Sequence, residues 1–164
     1  VKLSSFNKFE KIYYCGINLC YDQKNIDLFK KREKKLQESF RKKIDLLLDK
    51  NKKITIIYPL PYIGIDPPKY LASMVLNKKV PLASVDYNET IYRNSSTKKF
   101  LDSFKGNVLR IYPDKIFCNT FIKDKCAINL KEKVFFSDST HLSLEGADLL
   151  GNEILEKTNL FNMK

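Results

Sequence analysis

Lys53-Ile54-Thr55-Ile56-Ile57-Tyr58 is a β-branched apolar run closed by Pro59 and Pro61. Past Lys53 it is apolar except for Thr55, itself β-branched. That is the mark of a strand buried in a parallel sheet. The prolines that follow lack a backbone N–H and end the ladder. Upstream, from Asn25 to Asn51, Phe29, Leu36, Phe40, Ile44, Leu47 and Leu48 recur at helical spacing while lysines fill the other face. A helix feeding directly into a buried strand is half of a βαβ unit, and the pair predicts an α/β fold with a mainly parallel sheet.

The alternation continues downstream. Pro67-Pro68 permits a helix start, and Lys69 to Asn77 predicts a short helix before the irregular stretch around Pro81. A second helix is predicted over Asn88 to Lys105, with Gly106 as its stop. Asn107-Val108-Leu109-Arg110-Ile111-Tyr112, closed by Pro113, predicts the next strand. A polar loop follows, then Lys133-Val134-Phe135-Phe136, and a last helix from about Leu144 to Lys157. Lys11-Ile12-Tyr13-Tyr14-Cys15 fits a short strand or a loop. There is no internal repeat and no low-complexity tract.

The chain has 164 residues, 43% of them hydrophobic, which is enough for one domain with a buried core, so residues 1–164 are read as a single domain. No stretch reaches the roughly eighteen uninterrupted apolar residues of a membrane-spanning helix, and Val1-Lys2-Leu3-Ser4-Ser5 has no signal-peptide core. The chain thus reads as soluble, and its opening in what looks like the end of a strand suggests a piece of a longer protein. The formal charge of +11 raises the question of nucleic acid, since a basic face gains affinity by releasing counterions from phosphates. Against this, only four of the thirty basic residues are arginines (Arg32, Arg41, Arg93, Arg110), and bidentate phosphate and base contacts favour arginine. The basic run Lys30-Lys31-Arg32-Glu33-Lys34-Lys35 is broken by an acid and suits a solvated helix face. No nucleic-acid partner is expected.

Four cysteines form two close pairs, Cys15 with Cys20 and Cys118 with Cys126. Neither has zinc-ribbon or Cys-x-x-Cys spacing, and the single histidine belongs to another motif, so no metal is expected. Asn119 to Lys125 is polar and loop-like, so a Cys118–Cys126 disulfide closes a short loop easily and would imply an oxidising compartment. Two reduced thiols satisfy the spacing equally well.

Asp138-Ser139-Thr140-His141 carries the clearest chemistry. Three residues on, in a turn before a helix, an imidazole can meet the carboxylate. An aspartate accepting from one ring nitrogen fixes the tautomer and leaves the other nitrogen free to act as a base toward a hydroxyl. Ser143 stands at a natural N-cap for the last helix. The competing reading makes Asp138 a turn residue and His141 a surface histidine beside a helix start.

The longer string weighs against the competing reading. Asp138-x-x-His141-Leu142-Ser143-x-x-Gly146-Ala147, after a short strand, resembles the last block of the SGNH hydrolase superfamily. The resemblance is closest to SGNH domains fused to acyltransferase-three membrane proteins. Lys52 to Pro61 is similar to that family's strand after the long helix, and Ile65-Asp66-Pro67-Pro68 to the loop beyond it. Ile111-Tyr112-Pro113-Asp114 through Cys118 and Cys126, then Phe136 to Ala147, is similar to its closing region, cysteine pair included. Two parts of the pattern do not appear: the Gly-Asp-Ser block that bears the nucleophile and the oxyanion-hole glycine block. If Val1 to Ser5 ends a central strand, Asn7 falls where the superfamily's oxyanion asparagine would sit, although an asparagine there is also an ordinary turn residue.

The resemblance implies a three-layer α/β/α, flavodoxin-like fold whose first part precedes Val1. It implies that Asp138 and His141 are catalytic, that Cys118 and Cys126 pair, and that no cofactor is needed. The implied activity is acyl transfer to hydroxyls of a cell-surface polysaccharide. The implied partners are an acyl donor, a polysaccharide acceptor and an upstream membrane domain in the same polypeptide that tethers the domain on the extracytoplasmic face of the membrane. Alone, such a fragment would be inactive for want of its serine. Two other readings stand beside it: a stand-alone secreted esterase or deacetylase, and a degenerate module that binds glycan or nucleic acid.

Overall fold

The computed structural model describes residues 23–76 and 82–162. Lys11 to Cys15, Asn7, Cys15 and Cys20 lie outside the described residues. The chain divides between Asp49 and Lys50 into two compact units. In the first, helix α1 (Gln23–Asp49) occupies the predicted span within two residues at each end.

The second unit follows the predicted order, with four short additions. Strand β1 (Ile54–Ile57) is followed by helix α2 (Pro67–Leu76), which begins at the Pro-Pro pair itself. Strand β2 (Ser84–Asp86) leads straight into helix α3 (Tyr87–Asp102). Asp86 caps that helix, its side chain accepting from the Asn88 N–H, as a short acidic side chain does for an orphan donor. Strand β3 (Val108–Ile111) runs into a one-turn helix α4 (Asp114–Phe117), and then come β4 (Lys125–Ala127), β5 (Asn129–Leu130), β6 (Lys133–Val134) and helix α5 (Leu144–Asn162).

β1 and β3 pair in parallel, from Ile54 opposite Val108 to Ile57 opposite Ile111. The ladder extends through Ile54 N–H to Asn107 O at 3.0 Å and Tyr58 N–H to Ile111 O at 2.9 Å. The two runs that the sequence marks as strands are thus hydrogen-bonded neighbours, joined by α2, β2 and α3; β1 is not buried on both faces as expected, since Ile56 is buried while Thr55 and Ile57 are exposed. β2–β4 and β5–β6 are antiparallel pairs.

Gly106 does not end α3. The helix stops at Ser103, whose hydroxyl bonds Phe100 O at 2.6 Å. Gly106 instead takes φ of 95° at the turn into β3, a backbone state that side chains resist. Phe136 does not continue the strand begun at Lys133 but forms an isolated bridge with Leu142. α5 runs five residues beyond the predicted end, and its C-terminal turn is tied to β1 by Lys53 Nζ, which reaches Phe161 O at 3.1 Å and lies over the Phe161 ring.

The core gathers Ile63, Ala83, Phe117, Ala127, Ile128, Phe135 and Phe136, with Leu142 and Leu149 packed on it. Phe117 contacts both Phe135 and Phe136 at ring-centroid distances of 5.8 and 5.2 Å. Two polar side chains are buried among the described residues, Thr90, whose hydroxyl meets Cys126 Sγ at 3.7 Å, and Asn129, whose Oδ1 accepts from Ala83 N–H at 2.7 Å and whose Nδ2 donates to Lys131 O at 3.0 Å. These bonds offset the cost of burying an amide. Cys118 and Cys126 are joined by a disulfide across an isolated antiparallel bridge inside this core, which decides between the two readings of that pair. No described helix is long and apolar enough to cross a membrane.

Candidate active site

The turn bearing Asp138 and His141 is anchored at both ends to the core. On one side Phe135 N–H bonds Ile128 O at 2.8 Å, and Phe136 bridges Leu142. On the other, Ser143 N–H bonds Phe135 O at 3.0 Å and its hydroxyl bonds Val134 O. The Ser143 Oγ also accepts from Gly146 N–H at 3.1 Å, so Ser143 is the N-cap that the sequence predicts. Gly146 is required by proximity: a Cβ built there would lie 2.0 Å from Phe135 O. The first turn of α5 is pressed directly onto the strand segment that launches the site.

Within the turn, Ser137 closes the loop, its N–H and Oγ both donating to His141 O at 3.0 and 3.3 Å. Asp138 Oδ1 receives three donors: Thr140 N–H at 2.7 Å, His141 N–H at 2.8 Å and the Thr140 hydroxyl at 3.1 Å. With Oδ1 occupied in this way, Oδ2 meets His141 Nδ1 at 2.7 Å. The Thr140 N–H above all, then the imidazole and the His141 N–H, hold the Asp138 carboxyl well below the usual carboxylate range. A carboxylate kept ionised against Nδ1 favours the tautomer with the proton on Nδ1. Nε2 then has its lone pair available, and it has no hydrogen-bond partner among the described residues.

The pair is exposed, His141 at 76% and Asp138 at 51% of their side-chain surface, so it contributes little to stability. What it can do chemically is accept a proton at Nε2 from a hydroxyl brought against it. Of the residues the sequence marks, Asp138 and His141 are brought together and Asn7 lies outside the described residues. Sequence reading missed Thr140. Its position two residues after an aspartate, where Asx-turn donors fall, was the available signal.

A protein-family comparison bears on this turn and on the strands beneath it. Residues 9–156 match the family model described as an SGNH domain fused to AT3 domains. The chain belongs to this SGNH family. Neither the curated proteins nor the solved structures include a significant match. SGNH membership places the chain among hydrolases and acyltransferases, and the association with AT3, the acyltransferase-3 domain, is consistent with acyl transfer. The SGNH assignment also accords with the parallel β1–β3 pair and with the Cys118–Cys126 bond described above.

Proposed function

We propose that this chain is the C-terminal part of the SGNH domain of a membrane-bound O-acyltransferase that moves acetyl or another acyl group onto hydroxyls of a cell-surface polysaccharide. The observation that carries this reading is the 2.7 Å contact of Asp138 Oδ2 with His141 Nδ1, in a pair too exposed to be explained by stability. In the proposed reaction a serine from a Gly-Asp-Ser block preceding Val1 attacks the donor's acyl carbonyl. His141 Nε2 takes the serine proton and passes it to the leaving group. His141 then takes the proton of a glycan hydroxyl as that oxygen attacks the acyl-serine ester, and returns it to the departing serine oxygen. Asp138 holds the imidazole in the required tautomer and stabilises it when charged. Asn7 is proposed as an oxyanion donor.

The buried Cys118–Cys126 disulfide supports placing the domain in an oxidising compartment, on the extracytoplasmic face. The AT3 association of the family supports a membrane domain in the same polypeptide as its partner. The test is acyl content of the surface polysaccharide in cells carrying the full-length protein with His141→Ala. Loss of acylation at unchanged protein level is expected. Acylation at the wild-type level would overturn the reading. Donor hydrolysis by the wild type with water as the sole acceptor would replace it with an esterase.

A further inference from the structure

Beyond the carboxyl ends of β1 and β3 lies a shallow, half-open cleft lined by the apolar Pro59 and Ile91, by the rings of Tyr58 and Tyr112, and by Asn94, Lys98 and Asp114. Parallel α/β sheets place their ligands at this end of the strands. The rings of Tyr58 and Tyr112 stand 4.4 Å apart by centroid, and Tyr58 is fixed by its hydroxyl bond to Asp102 Oδ1 at 2.5 Å. The ammoniums of Lys98 and Lys115 lie over the Tyr112 ring at 5.6 and 4.8 Å from its centroid, the long end of the cation–π range, so a ligand ring set against Tyr112 displaces them to its own edge. Asn94 spends its Nδ2 on Leu60 O and Asp114 spends its Oδ2 on the Tyr87 hydroxyl. Each therefore keeps one oxygen with no protein partner among the described residues.

These groups limit the ligand. An acyl chain would strip water from Lys98 and Asp114 and return no hydrogen bond. A simple anion would meet the Asp114 carboxylate. A pyranose ring offers an apolar C–H face to tyrosine and hydroxyls that both donate, to the Asn94 and Asp114 oxygens, and accept, from Lys98. We infer that this cleft holds a sugar ring of the acceptor polysaccharide, against Tyr112 and between Asn94, Asp114 and Lys98. The inference rests on the acyltransferase reading for the identity of the glycan, while the binding itself is separable from transfer.

The probe is a set of unacylated oligosaccharides released from the producing cell's own surface polysaccharide, titrated into the full-length protein by calorimetry. Tyr112→Ala is expected to weaken binding at least roughly tenfold, whereas Tyr112→Phe, which keeps the ring face, stays near wild type. Lys98 is exposed, so Lys98→Glu leaves the fold intact and is expected to weaken binding by about threefold or more. Wild-type affinity in Lys98→Glu and in folded Tyr112→Ala overturns the inference. So does an effect of these variants on the acyl donor with none on the oligosaccharide. His141→Ala separates the two readings, because it should bind the oligosaccharide like wild type while losing transfer. If transfer survives in His141→Ala, the acyltransferase mechanism fails while the cleft is still judged on its own binding data.

Discussion

Asp138 Oδ1 accepts the backbone N–H of His141 at 2.8 Å while Oδ2 of the same carboxylate meets Nδ1 of that histidine at 2.7 Å. Residue 141 is thus held twice by residue 138, once by its backbone and once by its ring. A single carboxylate both folds the turn and aims the imidazole, so the four-residue spacing is itself the positioning device. No distant element has to supply the orientation.

Asp138→Asn tests the second role apart from the first. The amide oxygen can still accept from Thr140 and His141 N–H, so the turn survives. The amide NH2 would then face Nδ1 and favour the tautomer with its proton on Nε2, which removes the base. Acyl transfer by the full-length protein should fall on the order of a hundredfold to ten-thousandfold with its thermal midpoint little changed. Assaying released acyl groups per polysaccharide beside a melting curve decides it; loss of activity that tracks loss of folding would assign Asp138 to structure only.

The two glycines of α5 should respond in opposite directions. Gly146→Ala puts a methyl 2.0 Å from Phe135 O, which forces the helix start away from the site and should cost about 3 kcal/mol. Gly151 has no atom within 4 Å of a built Cβ, so Gly151→Ala should stabilise by roughly 0.5–1 kcal/mol through helix propensity. Urea midpoints of the two variants would check both signs.

What the sequence made legible follows from where the physical signal is local. The long periodic stretch of α1 and the two β-branched runs of β1 and β3 carry their own pattern, and the structure places them within a residue or two. Ser143 was legible because capping is a local exchange of hydrogen bonds. β2 and β4 were not, being three residues long and set by partners far away in the chain, such as Val85 opposite Cys126, and the two residues of β5, paired across a tight hairpin with β6, are too few to carry a pattern. The one-turn α4 lay hidden in a loop whose tight turns use positive φ at Asn119 and Asp124. The role of Thr140 depends on side-chain geometry that spacing alone does not reveal.

Tyr87 gives a prediction in alkaline solution. Its hydroxyl donates to Asp114 Oδ2 at 2.9 Å, linking the start of α3 to α4. Burial first, and then that carboxylate, push the phenol up to about 12. Because the folded value lies above the unfolded one of about 10, this contribution to stability is complete below that pH and is lost as pH rises toward 12. Tyr87→Phe should cost about 1 kcal/mol near neutrality and should flatten the alkaline decline. Unfolding curves across that pH window, read beside phenolate absorbance, would test it; an unchanged alkaline decline in the variant would be the contrary result.

The Cys118–Cys126 bond closes a loop with a sequence separation of 8 and fixes the strand that pairs β2. Both residues are buried, at 3% and 0% exposure, so the bond should resist mild reductant in the folded protein and yield only when the domain opens. Loop closure of this length predicts a loss of about 2.5 kcal/mol on removal. Reduction of the wild type isolates that loss, because both sulfurs stay in place. Replacing both cysteines by alanine should lower the denaturant midpoint further, since it empties buried volume and takes away the Cys126 Sγ that the buried Thr90 hydroxyl meets at 3.7 Å. A peptide digest of unreduced native protein should contain the linked pair. Alkylatable thiols at Cys118 and Cys126 in native protein would remove both the bond and the support it lends to an extracytoplasmic site.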